Sequence, residues 1–289
     1  MINNITGHTR LAGLFALPSS HSVSPMIHNT GFHLLGIDAV YLAFEVGKES
    51  LPQAIQSIRD FNMLGANLSM PNKTLALDYM DDLSQSAKLI GSINTISNDN
   101  GKLTGYNTDG SGFMTSLEEE SKKLIGEKIT VLGTGGGAMA IIAQAGLDGV
   151  KEIAVFNRIS DSNNRSQEKL DYISRNTGCK ISFKDLADQE ALAMDLKESR
   201  LLVNATSVGM KPLENQSPVQ NFDIIGKDLL VYDIIYTPRE SLLLKEARKR
   251  GAKTLNGLGM LLYQGAEAFE KWTGKKMPIE EIKKIIDNI

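Results

Sequence analysis

The chain has 289 residues, more than the roughly 100–200 residues of a typical single domain, so we expect two domains. It carries 31 Lys and Arg residues against 34 Asp and Glu residues, a formal net charge of −3. No block of like charge interrupts this balance, which argues against a nucleic acid partner. The composition, with 42% hydrophobic and 22% charged residues, is that of a globular protein that buries a full core.

The sequence also bears on location in the cell. No apolar run approaches the roughly 18 residues that a membrane span requires, and residues 1–10 lack a basic and then apolar leader. The single cysteine, Cys179, cannot form an intrachain disulfide, which agrees with a reducing compartment. We therefore expect a cytoplasmic protein with no membrane partner.

Short apolar runs rich in β-forming residues alternate with segments of helical periodicity, which predicts parallel α/β structure. Ser24 followed by Pro25 predicts a helix over residues 26–36 with Ser24 as its N-cap. In the first third, strands are predicted at residues 11–16, 39–46 and 65–69. A second helix is predicted after residue 48, and its one-sided apolar stripe consists of Leu51, Ile55, Ile58 and Phe61.

The second half of the chain predicts a doubly wound sheet. A charged segment at residues 118–123 leads into a predicted strand at residues 128–132. Further strands are predicted at residues 152–156, 180–183, 201–204, 229–233 and 253–255. About six strands with helical connections between most of them are typical of a Rossmann-type sheet. The last helices are predicted at residues 260–273 and 279–289.

A glycine-rich turn lies between the strand at residues 128–132 and a predicted helix at residues 139–147. It matches G-x-G-x-x-A with Gly133, Thr134, Gly135, Gly136, Gly137 and Ala138. In such a turn the first glycine permits the bend, the second lets a pyrophosphate approach the backbone, and the small last residue lets helix and strand pack closely. This setting predicts dinucleotide binding, and the alternative is a turn that serves packing alone.

The residues about 20 positions beyond these glycines bear on the choice between NAD and NADP. Asn157 and Arg158 stand there, and an arginine suits the 2′-phosphate of NADP. Ser160 and Asp161 follow and are suited to the ribose 2′-hydroxyl of NAD. The sequence therefore leaves both cofactors open.

Polar residues in the first part of the chain cluster where predicted strands end and helices begin, the usual place for ligand contacts in open α/β sheets. Each alone is also explained as a helix cap, a turn residue or a solvated charge. Together, hydroxyls before a helix can hold a carboxylate, amides can bridge neighbouring hydroxyls, and a lysine beside an aspartate can move a proton during carbonyl reduction. The set therefore describes a small polyhydroxylated acid as substrate. Its members are Ser22, Ser24, Asn67, Ser69, Lys73, Asn94, Thr95 and residues 107–110.

Two other kinds of chemistry are disfavoured. The four histidines show neither an H-x-x-x-H spacing nor paired carboxylates, so no metal site is expected. The chain has no G-x-S-x-G motif, which argues against a serine hydrolase.

In their order along the chain, the motifs resemble those of the shikimate dehydrogenase family, and more closely those of its quinate/shikimate dehydrogenase branch. The resemblance implies reversible NAD- or NADP-dependent reduction of 3-dehydroshikimate to shikimate, a step of chorismate and aromatic amino acid biosynthesis. Parallel action on quinate and 3-dehydroquinate is a further expectation. The motifs are Ser22-x-Ser24-Pro25, Gly65-Ala66-Asn67-x-Ser69-x-Pro71-x-Lys73, Gly91-x-Ile93-Asn94-Thr95, Asn107-Thr108-Asp109-Gly110, the glycine turn, Asn157-Arg158, Asn204-Ala205-Thr206 and Asn256-Gly257-Leu258-Gly259-Met260 with Gln264.

The resemblance also implies roles for individual residues. Lys73 and Asp109 are the implied catalytic pair, and Ser22 and Ser24 are the implied ligands of the substrate carboxylate. The residues implied to surround the substrate ring and its hydroxyls are Asn67, Ser69, Asn94, Tyr236 and Gln264. Beyond the glycine turn, the implied cofactor contacts are Asn157, Arg158, Thr206, Ser207, Ile234 and Gly257.

We therefore expect an N-terminal α/β substrate domain at residues 1–112 and a Rossmann-type NAD(P)-binding domain at residues 113–257. C-terminal helices at residues 258–289 are expected to return to the first domain. The expected partner is a small-molecule substrate; a homodimer is compatible with the sequence, which identifies no surface patch for it. Two alternatives fit the same motifs: a non-catalytic NAD(P)-binding regulator and a dehydrogenase of an amino-substituted shikimate analogue.

Overall fold

The computed structural model of the chain describes residues 5–120, 123–159 and 163–286. The chain divides into two compact units. The first unit comprises Met1–Gly112 and Leu261–Ile289, and the second comprises Phe113–Met260. The C-terminal helices therefore belong to the first unit, which confirms the expectation that they return to it.

Strands and helices alternate along the chain. The strands are β1 (Arg10–Ala16), β2 (Ala39–Glu45), β3 (Gly65–Leu68), β4 (Asp82–Leu83), β5 (Thr95–Asp99), β6 (Lys102–Tyr106), β7 (Lys128–Leu132), β8 (Glu152–Asn157), β9 (Lys180–Asp185), β10 (Leu201–Asn204), β11 (Leu230–Asp233) and β12 (Lys253–Leu255). The helices are α1 (Ser24–Leu34), α2 (Leu51–Asp60), α3 (Gln85–Ile90), α4 (Asp109–Glu119), α5 (Gly136–Leu147), α6 (Asn163–Thr177), α7 (Gln189–Glu198), α8 (Leu242–Lys249), α9 (Leu258–Thr273) and α10 (Ile279–Ile286).

The first unit is built on a mixed sheet with the strand order β2-β1-β3-β5-β6-β4. Strand β1 pairs in parallel with β2 and β3, whereas β5 pairs antiparallel with β3 and β6. The predicted strands β1, β2 and β3 are confirmed, but the sequence analysis does not predict β4, β5 or β6. The β5–β6 hairpin turns at Asn100 and Gly101, which have φ values of 51° and 94°. Positive φ values at both residues are what a two-residue hairpin turn of type I′ requires.

The second unit contains a fully parallel sheet with the strand order β12-β11-β10-β7-β8-β9. This is the doubly wound Rossmann order, which confirms the predicted fold class. The winding reverses between β7 and β10, whose ends lie side by side because Leu132 pairs with Asn204. Open α/β sheets bind ligands at the carboxyl ends of the strands that flank such a reversal.

Three helix starts differ from the prediction, one of them that of α9, which begins at Leu258, two residues before its predicted start. Helix α1 begins at Ser24, so Val23 is its N-cap, and the predicted capping role of Ser24 is wrong. The Ser24 N–H instead donates to Ser22 Oγ at 3.2 Å. Helix α5 begins at Gly136, three residues before its predicted start. Glycine carries no side chain, so a pattern of apolar residues cannot reveal this first turn.

Helix α2 buries its predicted apolar stripe except at one end. Leu51, Ile55 and Ile58 are at most 1% exposed, but Phe61 is 71% exposed. The helix ends at residue 60, Phe61 is its C-cap, and the chain leaves the helix at Asn62, whose backbone is left-handed with φ of 47°, so Phe61 lies at the exposed end of the stripe. The prediction for Phe61 is therefore wrong.

Helix α9 packs on the sheet of the first unit. Trp272, which is 7% exposed, donates from Nε1 to the carbonyl oxygen of Ile96 in β5 at 2.9 Å. Its ring also lies near His28 of α1 and Tyr41 of β2, at centroid distances of 5.0 and 5.9 Å. These aromatic contacts tie the end of the chain to strands and helices formed from its beginning.

Candidate active site

Lys73 and Asp109 form an ion pair in the first unit. Lys73 Nζ lies 2.6 Å from Asp109 Oδ2, and the two side chains are 29% and 13% exposed. Short charge-assisted hydrogen bonds of this kind fix the geometry of both groups. An ammonium group has three N–H donors, and Asp109 is the acceptor that the described residues provide. Donors therefore remain for a ligand.

The loop after β3 positions Lys73. Asn72 is 0% exposed and donates from Nδ2 to the carbonyl oxygens of Phe15 at 3.2 Å and Val46 at 2.8 Å. The carbonyl oxygen of Lys73 accepts the N–H of Ile93 at 2.9 Å. Asn72 and Lys73 together are thus tied to three segments of the first unit, which limits the reach of the Lys73 side chain.

Asp109 is the first residue of α4 and is 9% exposed. Its N–H donates to Asn107 Oδ1 at 3.2 Å, so the Asn107 side chain turns the backbone into the helix. Its Oδ1 accepts Asn94 Nδ2 at 2.8 Å, while Oδ2 accepts Lys73. Both carboxylate oxygens therefore have defined partners, and the helix N-terminus further favours the negative charge.

Two buried amides lie behind the ion pair. Asn94 is 2% exposed, and its Oδ1 accepts the N–H of Thr108 at 2.8 Å, which directs Nδ2 toward Asp109. Asn67 is 6% exposed and donates from Nδ2 to the carbonyl oxygen of Asn94 at 3.2 Å. Its Oδ1 accepts the hydroxyl of Tyr41 at 2.9 Å. The structure thus joins Asn67, Asn94 and Asp109 in one hydrogen-bonded chain.

Helix α9 brings Gln264 to this cluster. Gln264 Oε1 accepts Asn94 Nδ2 at 3.4 Å, and the Gln264 carbonyl oxygen accepts the Thr108 hydroxyl at 3.1 Å. This approach depends on Gly112, because a Cβ there would lie 2.4 Å from the backbone nitrogen of Gln264. The predicted residues Lys73, Asn67, Asn94, Asp109 and Gln264 therefore form one group.

The other residues predicted to bind substrate lie elsewhere. Ser22 and Ser24 lie at the start of α1, Ser69 follows β3, and all three are half-buried. The described contacts include no hydrogen bond from these three side chains to the ion pair. Tyr236 follows β11 in the second unit and is 36% exposed.

The glycine turn joins β7 to α5 in the second unit. Gly133 has a φ of 105°, and a Cβ there would lie 2.9 Å from the carbonyl oxygen of Ala205, so glycine is required beside the end of β10. Gly135 and Gly136 are exposed, and no described atom lies within 4 Å of where their Cβ atoms would be. Ala138 is fully buried. An open backbone at a helix N-terminus fits a pyrophosphate.

The rest of the turn and the end of β8 complete this edge. Thr134 and Gly137 are half-buried, and Thr134 Oγ1 accepts the hydroxyl of Ser166 at 3.3 Å. Asn157 ends β8, the neighbour of β7, and Arg158 follows it as an exposed residue. Ser160 and Asp161, which the sequence analysis also assigns to the cofactor, lie outside the described residues.

Two polar side chains shape the loops that carry the remaining predicted cofactor residues. Asn204, at the end of β10, accepts the N–H and the hydroxyl of Thr206 on Oδ1 at 3.1 and 2.7 Å. Asn204 Nδ2 donates to Asp233 Oδ1 at 3.1 Å. Asp233, at the end of β11, also accepts the hydroxyl of Ser241 on Oδ2 at 2.6 Å and the N–H of Ile235 on Oδ1 at 3.1 Å.

Asp233 is fully buried, and this burial raises the pKa of its carboxyl group, while the hydrogen bonds from Ser241, Ile235 and Asn204 lower it. Ile234 is half-buried between these loop anchors, and Ser207 is exposed. Gly257 approaches the same loop so closely that a Cβ there would lie 1.9 Å from the carbonyl oxygen of Ile234. The predicted residues Thr206, Ile234 and Gly257 are thus held around the Asn204–Asp233 contact.

The sequence analysis does not single out Tyr41, and it includes Thr95 and Thr108 in its set of polar residues without giving either an individual role. Thr95 follows Asn94 and Thr108 precedes Asp109 in the predicted motifs, and this adjacency is the signal that connects them to the site. Tyr41 is a fully buried residue of β2, and no motif next to it in the sequence indicates that its hydroxyl belongs to the site.

Within residues 5–120, 123–159 and 163–286, no group of three or more His, Cys, Asp or Glu side chains could hold a metal ion. The helices of the same described ranges also lack the combination of length and apolar character that crossing a membrane requires.

A doubly wound sheet with an open glycine turn beside its winding reversal defines a dinucleotide-binding unit. The Lys73–Asp109 pair in the other unit is a group able to transfer a proton. These features together define the class of NAD(P)-dependent oxidoreductases.

Comparison with known proteins identifies the family within this class. Residues 14–96 match the model of the shikimate dehydrogenase substrate binding domain, and residues 257–286 match that of the shikimate 5'-dehydrogenase C-terminal domain. The shikimate dehydrogenase (NADP(+)) of Listeria innocua is 48% identical over 282 residues, which cover 98% of this chain and 97% of the relative. The chain belongs to the shikimate dehydrogenase family.

Two further relatives extend the comparison. The quinate/shikimate dehydrogenase of Escherichia coli is 43% identical over 283 residues, which cover 98% of each chain. A crystal structure of shikimate 5-dehydrogenase from Listeria monocytogenes, in complex with shikimate and NAD, matches with a TM-score of 0.96 and 48% identity over 99% of both chains. The resemblance stated from the motifs is therefore confirmed at the level of the family.

Proposed function

We propose that the chain catalyses the reversible reduction of 3-dehydroshikimate to shikimate with NADP or NAD, and that quinate and 3-dehydroquinate form a second substrate pair. The observation that carries the proposal is the 2.6 Å contact between Lys73 Nζ and Asp109 Oδ2 beside two buried amides. The names of the relatives from Listeria innocua and Escherichia coli support this substrate class.

Lys73 is the proposed proton donor. Reduction of a ketone to an alcohol adds a proton to the oxygen, and the Lys73 ammonium has N–H donors that its contact with Asp109 leaves for this purpose. In the oxidation of shikimate, the neutral amine takes the proton from the substrate hydroxyl. General acid–base assistance of this kind is typically worth about 10²–10⁴-fold in rate.

Asp109 has two proposed roles, which its two oxygens make compatible. Oδ2 orients the Lys73 ammonium, and Oδ1 is oriented by Asn94. A carboxylate accepts more than one hydrogen bond on each oxygen, so Asp109 can also accept a substrate hydroxyl while it holds Lys73. The role fits its small remaining exposure of 9%.

The other polar residues hold the substrate in this proposal. Ser22 and Ser24 bind its carboxylate with their hydroxyl groups at the start of α1. The residues proposed to surround the ring and its hydroxyls are Asn67, Ser69, Asn94, Tyr236 and Gln264. The hydrogen bonds between Asn67, Asn94 and Asp109 support a shared task for these side chains.

The dinucleotide, when bound, supplies the hydride for reduction and accepts it in oxidation. The open backbone of Gly135 and Gly136 suits its pyrophosphate, together with Gly133, Thr134, Gly137 and Ala138. Asn157 and Arg158 would hold the adenosine end, with Ser160 and Asp161 beyond them. Thr206, Ser207, Ile234 and Gly257 would form the remaining cofactor surface. The proposal also places the protein in the cytoplasm, which its single cysteine supports.

The test is a matrix of four assays: shikimate or quinate with NADP or NAD, each followed by nicotinamide absorbance. We expect oxidation of shikimate with at least one cofactor. Binding of cofactor without turnover of either acid would favour the non-catalytic regulator and reject the proposal. Turnover restricted to an amino-substituted analogue would reject shikimate as the substrate while keeping the dehydrogenase chemistry.

A further inference from the structure

Thr95 lies between the two amides of the site in the first unit. It is the first residue of β5, is fully buried, and pairs with Asn67 across the antiparallel β3–β5 ladder. Its Oγ1 accepts Asn67 Nδ2 at 3.0 Å and donates to Asn94 Oδ1 at 3.0 Å. One hydroxyl group therefore connects two side chains that are distant in sequence.

The direction of both hydrogen bonds follows from the chemistry of the groups. An amide NH₂ group only donates and an amide oxygen only accepts, so the Thr95 oxygen receives a proton from Asn67 and gives its own to Asn94. The orientation of the Asn94 amide is fixed independently, because its Oδ1 accepts a backbone N–H, that of Thr108, at 2.8 Å. A backbone donor cannot reverse its role.

The orientation of Asn94 matters because of what lies on its other side. Asn94 Nδ2 donates to Asp109 Oδ1 at 2.8 Å. If the amide turned over, its oxygen would face the carboxylate oxygen, and two acceptors would meet without a proton between them. Thr95 adds a second donor on the oxygen side of Asn94 and so opposes this reversal.

We propose that Thr95 is a positioning residue that sets the amides of Asn67 and Asn94 in one orientation and thereby aligns Asp109 and the substrate ring. The inference rests on the proposed function, because it assigns these three side chains to substrate. Thr95 itself touches neither the ion pair nor, being fully buried, a ligand. Its effect reaches the reaction through the two amides and through the hydroxyl of Thr108, whose Oγ1 lies 3.4 Å from Thr95 Oγ1.

The test compares Thr95→Val, which keeps the shape and removes the hydroxyl, with Thr95→Ser, which keeps the hydroxyl. We expect Thr95→Val to lower kcat/KM for shikimate about tenfold, because it removes the hydroxyl that bonds both amides, with affinity for NADP unchanged. Thr95→Ser should restore most of the loss. Thr130→Val is a matched control, because Thr130 is a fully buried strand threonine of the second unit whose hydroxyl contacts Ser199 Oγ at 2.8 Å.

A double-mutant cycle separates positioning from a general loss of stability. In an Asn94→Ala background, Thr95→Val should cost less than threefold, because one of the two amides through which it acts is already gone. Additive losses would overturn the inference, as would a wild-type value of kcat/KM in Thr95→Val.

The failure of the inference is distinguishable from the failure of the proposed function. If wild-type protein neither binds shikimate in calorimetry nor oxidises it, the proposed function fails and the inference fails with it. If the wild type is active and Thr130→Val lowers kcat/KM as much as Thr95→Val does, the proposed function stands and the inference alone is rejected.

Discussion

The hydrogen-bond networks of the two units differ in whether they leave donors available to a ligand. In the second unit, Asn204 and Asp233 direct their polar atoms at one another and at the loops that follow their strands, and Asp233 is fully buried. In the first unit, Lys73 ends a similar chain of hydrogen bonds, yet its side chain is 29% exposed and, among the described residues, Asp109 is the acceptor that faces it.

This difference separates two uses of the same chemistry. A network whose donors and acceptors are all used can hold loops in shape but has nothing to offer a substrate. A network that ends in an exposed ammonium group retains donors, and its buried part keeps that group in place. We therefore expect substitutions in the first network to affect turnover, and substitutions in the second to affect stability and cofactor affinity.

The largest effect is expected from removing the Lys73 ammonium group, which is the exposed end of the hydrogen-bond network in the first unit. Lys73→Met should lower kcat by about 10²–10⁴-fold and leave the dissociation constant of NADP within about twofold of the wild-type value, because it removes the proton donor alone. Steady-state kinetics and cofactor titration measure the two quantities. Lys88→Met is the control, since it removes an exposed lysine from its contact with Asp82 in the same unit. A kcat close to that of the wild type would remove Lys73 from the proposed role.

The second prediction concerns the hydrogen-bond network of Asn204 and Asp233 in the second unit. Asp233→Ala should lower the free energy of unfolding by about 3 kcal/mol, because it leaves Asn204, Ser241 and the N–H of Ile235 without their acceptor inside the unit. Affinity for NADP should fall with it, since Thr206 and Ile234 depend on these loops. Urea unfolding and cofactor titration are the measurements.

Asp233→Asn serves as the matched control for this prediction. An asparagine can keep an oxygen toward Asn204, and the Ser241 hydroxyl can turn to accept from its NH₂ group. We expect Asp233→Asn to keep most of the stability that Asp233→Ala loses. Equal losses in the two variants would show that the negative charge, and not the hydrogen bonds, maintains the loops.

The third prediction concerns the dependence of the unfolding free energy on pH, to which His28 of the first unit contributes. Burial lowers the pKa of His28 from 6.5 to about 3, despite a hydrogen bond with Asn67 that raises it. Because the folded pKa lies below the unfolded one, the unfolded chain takes up a proton that the folded chain refuses. This contribution to stability is complete above pH 6.5 and is lost progressively as the pH falls from 6.5 toward 3.

His28→Phe removes the titrating group and keeps an aromatic ring beside Tyr41, whose ring centroid lies 4.5 Å from that of His28. Between pH 7 and pH 5, the wild type should lose about 2 kcal/mol more unfolding free energy than this variant, at ~1.4 kcal/mol per pH unit below 6.5. Urea unfolding at the two pH values measures the difference. Parallel losses in both proteins would assign the acid response to other groups.

The smallest expected effect concerns cofactor choice in the second unit. Arg158→Ala should lower kcat/KM with NADP about tenfold and change the value with NAD less than about twofold, because only NADP carries a 2′-phosphate for the guanidinium. Arg175→Ala on α6 is the control, since Arg175 is also an exposed arginine of this unit. Equal losses with both cofactors would contradict a 2′-phosphate contact.

The sequence predicts the second sheet better than the first, and the reason is burial. Parallel strands that are covered on both faces appear as continuous apolar runs, and the prediction for β7 and β10 agrees with the structure residue for residue. Strands β5 and β6 mix polar and apolar residues because they form part of an antiparallel hairpin. The Asn100-Gly101 pair is a hairpin signal that would have located them.

The candidate site is also predicted from the sequence only in part. The positions of Lys73, Asp109 and Gln264 in the chain come from motifs that resemble a known family, and the structure brings these residues into one group. The part played by Thr95 depends on which atom of each amide faces its hydroxyl. Such orientations arise from backbone donors supplied by distant segments, and no pattern of residue types encodes them.

Helix α9 has a consequence for the way this protein is made. Trp272 and Gln264 lie near the end of the chain, yet they complete a unit whose sheet consists of residues from its beginning. The second unit, Phe113–Met260, is continuous in sequence, so no residue outside that range is needed to complete it. The first unit, by contrast, cannot be completed during synthesis until the residues of α9 and α10 have been added to the chain.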